Sequence, residues 1–257
     1  MENGQLETMP ASAALPVGDG IAADGRRWTF ARGTPARFDD HIGRSVPGYH
    51  DGHALVAELS DFFVSDGGRV IEVGCSTGAL IQSLARRHEA APVEFLGVDV
   101  VPEMVDVARE RCREQCNLRI EVVDGRRVDY TDACLVVMYY TLQFIPVWQR
   151  RSLIERICRE MRPGGALILF EKTRLPDGML QDICNQVYET FKLDHGIESE
   201  EVLGKARSLR GVLEPFTSAE NAALVAGAGF GRPHVLYRQL AFEGLLAVKP
   251  VVEGAVA

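Results

Sequence analysis

Short apolar runs alternate with longer amphipathic segments through the middle of this sequence, and this alternation limits the possible folds more than any other feature. The apolar runs are residues 69–73, 93–98, 118–123, 133–138 and 166–170. The segments between them include 79–88 and 149–161, whose apolar residues have helical spacing. This alternation predicts βαβ units and a parallel sheet.

The C-terminal part of the sequence departs from this alternation. Two apolar runs, 233–240 and 242–248, are separated by one residue, which leaves almost no room for a crossover helix. They predict an antiparallel hairpin. The whole pattern therefore predicts an α/β fold with a seven-stranded, mostly parallel, Rossmann-like sheet that ends in this hairpin, which is the strand plan of class I methyltransferases.

A glycine-containing loop follows the first apolar run, with the sequence Glu72-Val-Gly-Cys-Ser-Thr-Gly78. Gly74 and Gly78 let the backbone approach a ligand, and the next helix offers unpaired N–H groups at its positive end. The spacing is GxxxG, whereas a dinucleotide fingerprint would be GxGxxG. The loop therefore favours the methionine part of S-adenosyl-L-methionine over a pyrophosphate.

Acidic residues at three strand ends extend this predicted site. Asp99 is placed to accept hydrogen bonds from the two hydroxyls of a ribose. Asp124 is placed to accept a hydrogen bond from the exocyclic amine of adenine, and Gly125 leaves room for the ring. Glu72 is expected to be buried and to need a partner such as a loop N–H or a ligand ammonium group. Each acid alone could be a solvated strand end, but three in register favour one pocket.

The sequence outside the predicted sheet divides the chain into segments. We expect a flexible tail at 1–25, an N-terminal helical lid segment at 26–66, and an S-adenosyl-L-methionine-binding methyltransferase domain at 67–257 with a helical insertion at 177–213.

The net charge of −8 argues against nucleic acid and membrane partners and favours a small-molecule substrate. No apolar run approaches the roughly 18 residues that span a bilayer, so we expect a cytoplasmic protein.

The cysteines do not predict a metal site. The six are scattered, none forms a CxxC pair, and none lies beside a histidine at ligand spacing. We expect reduced thiols and no metal. The cysteines are Cys75, Cys112, Cys116, Cys134, Cys158 and Cys184.

Several strings of this sequence closely resemble the carboxy-S-adenosylmethionine synthase family. They are Trp28-Thr-Phe30, Arg44-Ser-Val-Pro-Gly-Tyr49, Gly74-Cys-Ser76, Thr141-Leu-Gln-Phe144, Pro163-Gly-Gly-Ala-Leu167, Glu171-Lys172 and Ala228-Gly-Phe230. The resemblance implies a homodimer with the methyltransferase fold. It also implies use of prephenate to convert S-adenosyl-L-methionine into carboxy-S-adenosyl-L-methionine, which later modifies a tRNA wobble uridine.

The resemblance also implies ligand contacts, and the sequence departs from the family at two of them. The implied contacts that are present are Tyr49, Gly74, Cys75, Ser76, Asp99, Val100, Asp124 and Gly125. The family has an asparagine where this chain has Tyr139, and the arginine that holds the added carboxylate appears, without gaps, as Ala206. A register shift of one would replace it by Arg207. An arginine that binds a carboxylate through two hydrogen bonds cannot be replaced by alanine, which indicates a divergent paralogue.

An activated methyl sulfonium needs mainly alignment and exclusion of water, so few catalytic side chains are expected. Tyr49 and Tyr139 are predicted to face the sulfonium, and Tyr139 also to line the cofactor pocket, while strand alternation would point Tyr140 to the opposite face. Candidates for the substrate side are Tyr140, Glu171 and Arg207, together with Lys172, although Glu171 and Lys172 could instead form an exposed ion pair. His41 and His50 could be general bases, although solvated histidines are the commoner case.

The sequence therefore predicts a methyltransferase that uses S-adenosyl-L-methionine to methylate a small molecule by in-line displacement. Three alternatives remain open: a carboxy-S-adenosyl-L-methionine synthase, a protein that binds the cofactor without turning it over, and a cyclase or lyase that acts on the cofactor alone.

Overall fold

The computed structural model describes residues 15–18, 21–23 and 34–251. Two short strands near the N-terminus, β1 (Leu15–Gly18) and β2 (Ile21–Ala23), pair in antiparallel fashion within the region for which we expected a tail. The rest of that tail and the string Trp28-Thr-Phe30 lie outside the described residues. No helix in the described part of the chain is long and apolar enough to cross a membrane.

Seven strands form the central sheet, in the order β5-β4-β3-β6-β7-β9-β8. Neighbouring strands from β3 to β7 are parallel, while β9 runs antiparallel to both β7 and β8. The predicted mixed sheet and its C-terminal hairpin are therefore confirmed. The strands are β3 (Arg69–Val73), β4 (Glu94–Asp99), β5 (Leu118–Val122), β6 (Ala133–Tyr139), β7 (Ala166–Lys172), β8 (His234–Gln239) and β9 (Phe242–Val248).

Eight α-helices are described, and they lie on both faces of the sheet. They are α1 (Thr34–Ser45), α2 (Tyr49–Ser60), α3 (Ala79–Arg87), α4 (Pro102–Cys112), α5 (Val147–Glu160), α6 (Gly178–Asp194), α7 (Ser199–Ser208) and α8 (Ser218–Gly227). The apolar side chains of α2, α3 and α4 pack against one face and those of α5 and α8 against the other. Because β6 is buried along its whole length, the two layers enclose the middle of the sheet.

The strand order reverses between β3 and β6, so a crevice opens at their carboxyl ends. Helix α1 from the front segment and helices α6 and α7 from the insertion meet beside this crevice. The Tyr188 hydroxyl of α6 donates to the carbonyl oxygen of Ser45 in α1 at 2.8 Å. In α7, the Lys205 ammonium nitrogen lies 2.7 Å from His41 Nε2 of α1. The two segments outside the sheet therefore close the crevice together.

We expect Gly244→Ala to destabilise the protein by about 1–3 kcal/mol, because overpacking a dense core forces neighbours apart. Gly244 lies opposite Phe170 in the β7–β9 pair, and an added Cβ would lie 2.4 Å from the Phe170 ring. The matched control is Gly178→Ala, where nothing lies within 4 Å of the added Cβ. Urea unfolding measures both variants, and equal stability would show that Phe170 does not pack on the hairpin.

Candidate active site

A cavity of about 630 Å³ lies at the carboxyl ends of β3, β4 and β6. One part of its wall comes from the end of β3, the loop after it and the ends of β4 and β5, and includes Glu72 and Asp99. The other part comes from α1, α6, α7 and the end of β7, and includes Lys172, Lys192 and Lys205. One cavity therefore joins an acidic region to a region lined by lysines.

The loop after β3 adopts the turn that its glycines predict. Gly74, Ser76 and Gly78 all have positive φ angles, of 78°, 50° and 77°. A Cβ on Gly74 would lie 2.3 Å from the Thr141 hydroxyl oxygen, so this loop and the end of β6 approach each other too closely for another residue. Gly74, Cys75 and Ser76 lie on the cavity wall, whereas Gly78 does not. Gly78 instead packs against Ala108 of α4, where its Cβ would lie 3.0 Å from the alanine Cβ.

The Asp99 carboxylate is held in a fixed orientation at the end of β4. One oxygen accepts from the Ser76 N–H at 2.9 Å and the other from the Val101 N–H at 3.0 Å. Burial raises the pKa of Asp99, and these backbone hydrogen bonds oppose that rise. Val100, beside it, lies on the wall but is exposed. Each Asp99 oxygen keeps a lone pair for a further donor, as a ribose diol would require.

Glu72 is buried with a carboxylate oxygen that has no hydrogen-bond partner in the described part of the chain. Its side chain is 3% exposed and lies on the cavity wall, and Oε2 is the unpartnered atom. Burial raises the pKa of Glu72 well above its usual value. An unsatisfied buried acceptor beside a cavity fits a cationic group such as an amino acid ammonium.

The arrangement at the end of β5 differs from the expected adenine site. Asp124 and Gly125 both lie on the cavity wall. The Asp124 carboxylate, however, accepts hydrogen bonds from the guanidinium and the backbone N–H of Arg126, which lowers the pKa of Asp124. The missing side chain of Gly125 makes room for Val73, because a Cβ there would lie 2.5 Å from Val73 Cγ1. Strand-end spacing could not show that Arg126 folds back over this acid.

Tyr49, Tyr139 and Tyr140 form an aromatic part of the cavity wall. The ring centroids of Tyr49 and Tyr139 are 5.2 Å apart, and those of Tyr139 and Tyr140 are 4.8 Å apart. The expectation that only one of the paired tyrosines lines the pocket is wrong, because Tyr140 has a φ of 57° and strand alternation ends there. The Tyr139 hydroxyl donates to the carbonyl oxygen of Tyr49 at 2.6 Å. The Tyr140 hydroxyl is buried and has no partner among the described residues.

Glu171 and Arg207, two residues expected on the substrate side, are not on the cavity wall. Glu171 is buried behind it, and its Oε1 accepts from the Leu142 N–H at 2.9 Å. Burial raises the pKa of Glu171 to about 8, although Arg150 opposes the rise. Arg207 is on the exposed side of α7, while Ala206 and Lys205 line the cavity. A register shift of one therefore does not bring an arginine to this position.

The structure adds wall residues that the sequence patterns did not single out. These are Lys192 and Tyr188 of α6, Lys205 of α7, and His53 of α2. His41, expected to be solvated, is buried on the wall, and its pKa falls to about 3 through burial and the nearby Lys205 and Lys192. Lysine is rare in this sequence, and that rarity could have drawn attention to Lys192 and Lys205.

Metal-ligating residues do not gather into a group of three or more anywhere in the described part of the chain. All six cysteines are free thiols, and five of them are buried.

Comparisons with known proteins relate the chain to methyltransferases. Residues 70–165 match the family described as a methyltransferase domain. A carboxy-S-adenosyl-L-methionine synthase from Chromohalobacter salexigens is 36% identical over 225 residues, which cover 86% of this chain and 83% of that protein. The protein of the same name from Staphylococcus epidermidis is 33% identical, over 87% of this chain and 97% of that protein.

The fold also matches solved methyltransferase structures. Human N-acetylserotonin methyltransferase, solved in complex with S-adenosyl-L-methionine, superposes with a TM-score of 0.58 at 18% sequence identity. The match covers 86% of this chain and 60% of that one, so this chain spans less than two thirds of the human protein. At this identity the likeness shows the fold.

We expect Glu171→Gln to remove a pH dependence of stability. The folded-state pKa of about 8 lies above the usual value of 4.5, so the contribution of Glu171 to stability is full below about pH 4.5 and is lost as the pH rises toward 8. The wild type should therefore lose roughly 1.4 kcal/mol per pH unit relative to the variant across this window. Urea unfolding at pH 5, 6, 7 and 8 measures this difference. Glu103→Gln, on the exposed first turn of α4, is the control, and parallel curves for wild type and Glu171→Gln would contradict the expectation.

Proposed function

We propose a function from the premise that this chain belongs to the carboxy-S-adenosyl-L-methionine synthase family. The chain is an enzyme of the class I methyltransferase fold, and its cofactor is S-adenosyl-L-methionine. We propose that it transfers the methyl group of this cofactor to a small-molecule acceptor by in-line displacement. The observation that carries the proposal is the single cavity with an acidic half and a lysine-lined half. A second substrate explains the second half, which a cyclase, a lyase or a passive binder would not need.

The acidic half fits the cofactor. We propose that the unpartnered Glu72 Oε2 binds the ammonium group of the cofactor. We propose also that Asp99, held by two backbone N–H groups, accepts hydrogen bonds from the ribose hydroxyls of the cofactor. Gly74, Cys75, Ser76 and Val100 line the same part of the cavity, and we propose that Asp124, Gly125 and Arg126 border the adenine end. When bound, the cofactor supplies an electrophilic methyl group attached to a sulfonium.

The aromatic wall aligns the reaction. We propose that Tyr49 and Tyr139 present electron-rich rings to the sulfonium, because such rings attract a cation and exclude water from the reacting atoms. The hydrogen bond from the Tyr139 hydroxyl to the Tyr49 carbonyl oxygen fixes both rings relative to α2. The Tyr140 hydroxyl remains available to the acceptor.

Carboxyl transfer is the second candidate function. The names of the curated relatives favour it, and so does the cationic half of the cavity, which could hold an added carboxylate. Ala206 on the cavity wall and Arg207 outside it favour methyl transfer, because the arginine implied by the family resemblance is absent there.

We propose that the protein acts as a homodimer in the cytoplasm. The dimer is supported by exposed apolar side chains of α6, in which Met179, Ile183 and Val187 follow each other at helical spacing. Six free cysteines support a reducing compartment. The net charge of −8 supports a small-molecule substrate over nucleic acid or an anionic membrane surface.

The function is tested with cofactor labelled in the methyl group. We expect purified enzyme and a metabolite extract to yield a labelled small molecule, detected by mass spectrometry. Asp99→Ala should lower cofactor affinity about tenfold or more, because a buried diol contact is lost, while Asp106→Ala on the exposed side of α4 should not.

Three other outcomes would overturn methyl transfer. Carboxylated cofactor in the purified protein, or its formation when prephenate is added, would favour the second candidate. Product from the cofactor alone would indicate a cyclase or lyase. Tight cofactor binding with no product in any extract would indicate a binding protein.

The dimer is tested with Ile183→Asp, which places a charge in the apolar stripe. We expect sedimentation velocity to show a dimer for the wild type and a monomer for this variant, because a buried unpaired charge opposes association. Phe62→Asp is the control, since Phe62 is 81% exposed in the turn after α2, outside the stripe. A monomeric wild type, or a variant that stays dimeric, would contradict the proposed interface.

A further inference from the structure

A cluster of three side chains, Asp39, Thr77 and Arg111, joins α1 to the loop after β3 and to α4. The Thr77 hydroxyl donates to Asp39 Oδ1 at 2.6 Å. The Arg111 guanidinium donates to the Thr77 hydroxyl oxygen at 3.2 Å and pairs with Asp39 Oδ2. Each member therefore contacts the other two. Segments that are separate in the sequence meet at one threonine hydroxyl.

The Thr77 hydroxyl depends on both of its partners. Its proton is donated to Asp39, and one of its lone pairs accepts from Arg111, which uses the hydroxyl as donor and as acceptor. Thr77 is only 2% exposed, and a buried hydroxyl without such partners is costly. The orientation of this side chain is therefore defined while α1 and α4 both lie against the loop.

The cluster also supports the carboxylate that we assign to the ribose. Thr77 directly follows Ser76, whose N–H donates to Asp99 at 2.9 Å. Ser76 has a φ of 50°, a left-handed conformation that is unfavourable for a residue with a Cβ. Neighbouring contacts must hold such a residue in place, and the cluster supplies one immediately after it. Asp39 thus influences Asp99 through the loop.

Helix α1 contributes to the cavity wall beside this cluster. Phe38, His41 and Ile42 line the cavity at helical spacing, whereas Asp39 and Arg111 do not line it. The Asp39 side chain reaches the loop instead. A displacement of α1 would therefore break the cluster and open the cavity to water at the same time.

The ion pair of the cluster is suited to repeated opening. The Asp39 side chain is 43% exposed and that of Arg111 is 27% exposed. Ion pairs that are partly exposed contribute little free energy and are weakened by salt, whereas breaking a fully buried pair is very costly. A helix that covers an exchanging ligand needs a contact of the first kind.

We propose that Asp39 is a positioning residue that holds α1 against the loop after β3 and so retains the bound cofactor. We take from the proposed function only that the cofactor lies against Glu72 and Asp99. Asp39 is not on the cavity wall, so it acts through Thr77 and α1 and does not touch the cofactor. The closed cluster slows release of the cofactor and keeps water out.

The first test measures the release of S-adenosylhomocysteine by stopped-flow displacement. Asp39→Asn keeps the shape of the side chain and removes the charge that attracts Arg111. We expect this variant to release the ligand about three- to tenfold faster than the wild type, because a charge-assisted contact is weakened. The matched control is Asp40→Asn, which changes an exposed carboxylate on the same helix and should release the ligand at the wild-type rate.

Salt provides a second readout on the same proteins. S-adenosylhomocysteine carries no net charge, so salt acts mainly on the protein. Raising the salt concentration to roughly 0.5 M should speed release from the wild type, because the partly exposed pair is screened. Release from Asp39→Asn should depend much less on salt, since the pair is already lost.

Hydrogen exchange locates the change in the structure. We expect S-adenosylhomocysteine to protect the amides of α1 in the wild type and to protect them less in Asp39→Asn at saturating ligand. The amides of α8, on the other face of the sheet, should exchange equally in both proteins. Urea unfolding without ligand separates positioning from stability. A lower midpoint combined with a wild-type release rate would assign Asp39 to stability alone and overturn the proposal.

A double variant tests whether Asp39 and Arg111 act as one unit. Arg111→Met should also speed release, and Arg111→Lys, which keeps the charge, should lie between Arg111→Met and the wild type. Combining Asp39→Asn with Arg111→Met should give about the rate of the faster single variant, because one contact cannot be lost twice. Multiplied effects would show that the two residues act independently and would contradict the cluster.

The outcome of these measurements does not depend on the methyl-transfer assay, because ligand release requires no turnover. Faster release from Asp39→Asn in a protein that methylates nothing would reject the proposed function and keep the positioning role. Methyl transfer together with equal release rates for Asp39→Asn and wild type, or with no protection of α1 by the ligand, would reject the positioning role and keep the function.

Discussion

The approach of the β3 loop to the end of β6 is the constraint on which the site depends. Only glycine fits at position 74, because any Cβ there would collide with Thr141. The turn that follows aims the Ser76 N–H at Asp99 and so orients that carboxylate. On the other side of the contact, Tyr140 takes a left-handed conformation, and both tyrosines reach the same cavity. The cofactor loop and the aromatic wall therefore arise from one tight backbone packing.

Two segments outside the sheet complete the cavity. Helix α1 precedes the sheet in the chain, whereas α6 and α7 come after β7, yet Tyr188 bonds to the backbone of Ser45 and Lys205 contacts His41. These contacts bring an otherwise open crevice under helices from two ends of the sequence. They also set the charge on that side of the cavity, because α6 and α7 each contribute a lysine to it. Shape and electrostatics on that side thus have the same structural origin.

Residues of opposite charge line different parts of this cavity. Glu72 and Asp99 line one part of its wall, and Lys172, Lys192 and Lys205 line another. Charges of opposite sign on neighbouring parts of one wall favour molecules of unlike charge at neighbouring positions, and transfer from an activated sulfonium requires mainly such positioning.

The sequence by itself determined the sheet, the terminal hairpin, the glycine turn and the position of Asp99, because these follow from local periodicity and turn chemistry. It did not determine the side on which Tyr140 lies, since one left-handed residue ends strand alternation. Nor did it show that Arg126 covers Asp124 or that Arg207 faces outward. The convergence of the lysines was decided only by tertiary packing, because the rotation of a helix about its axis depends on contacts with segments more than a hundred residues away.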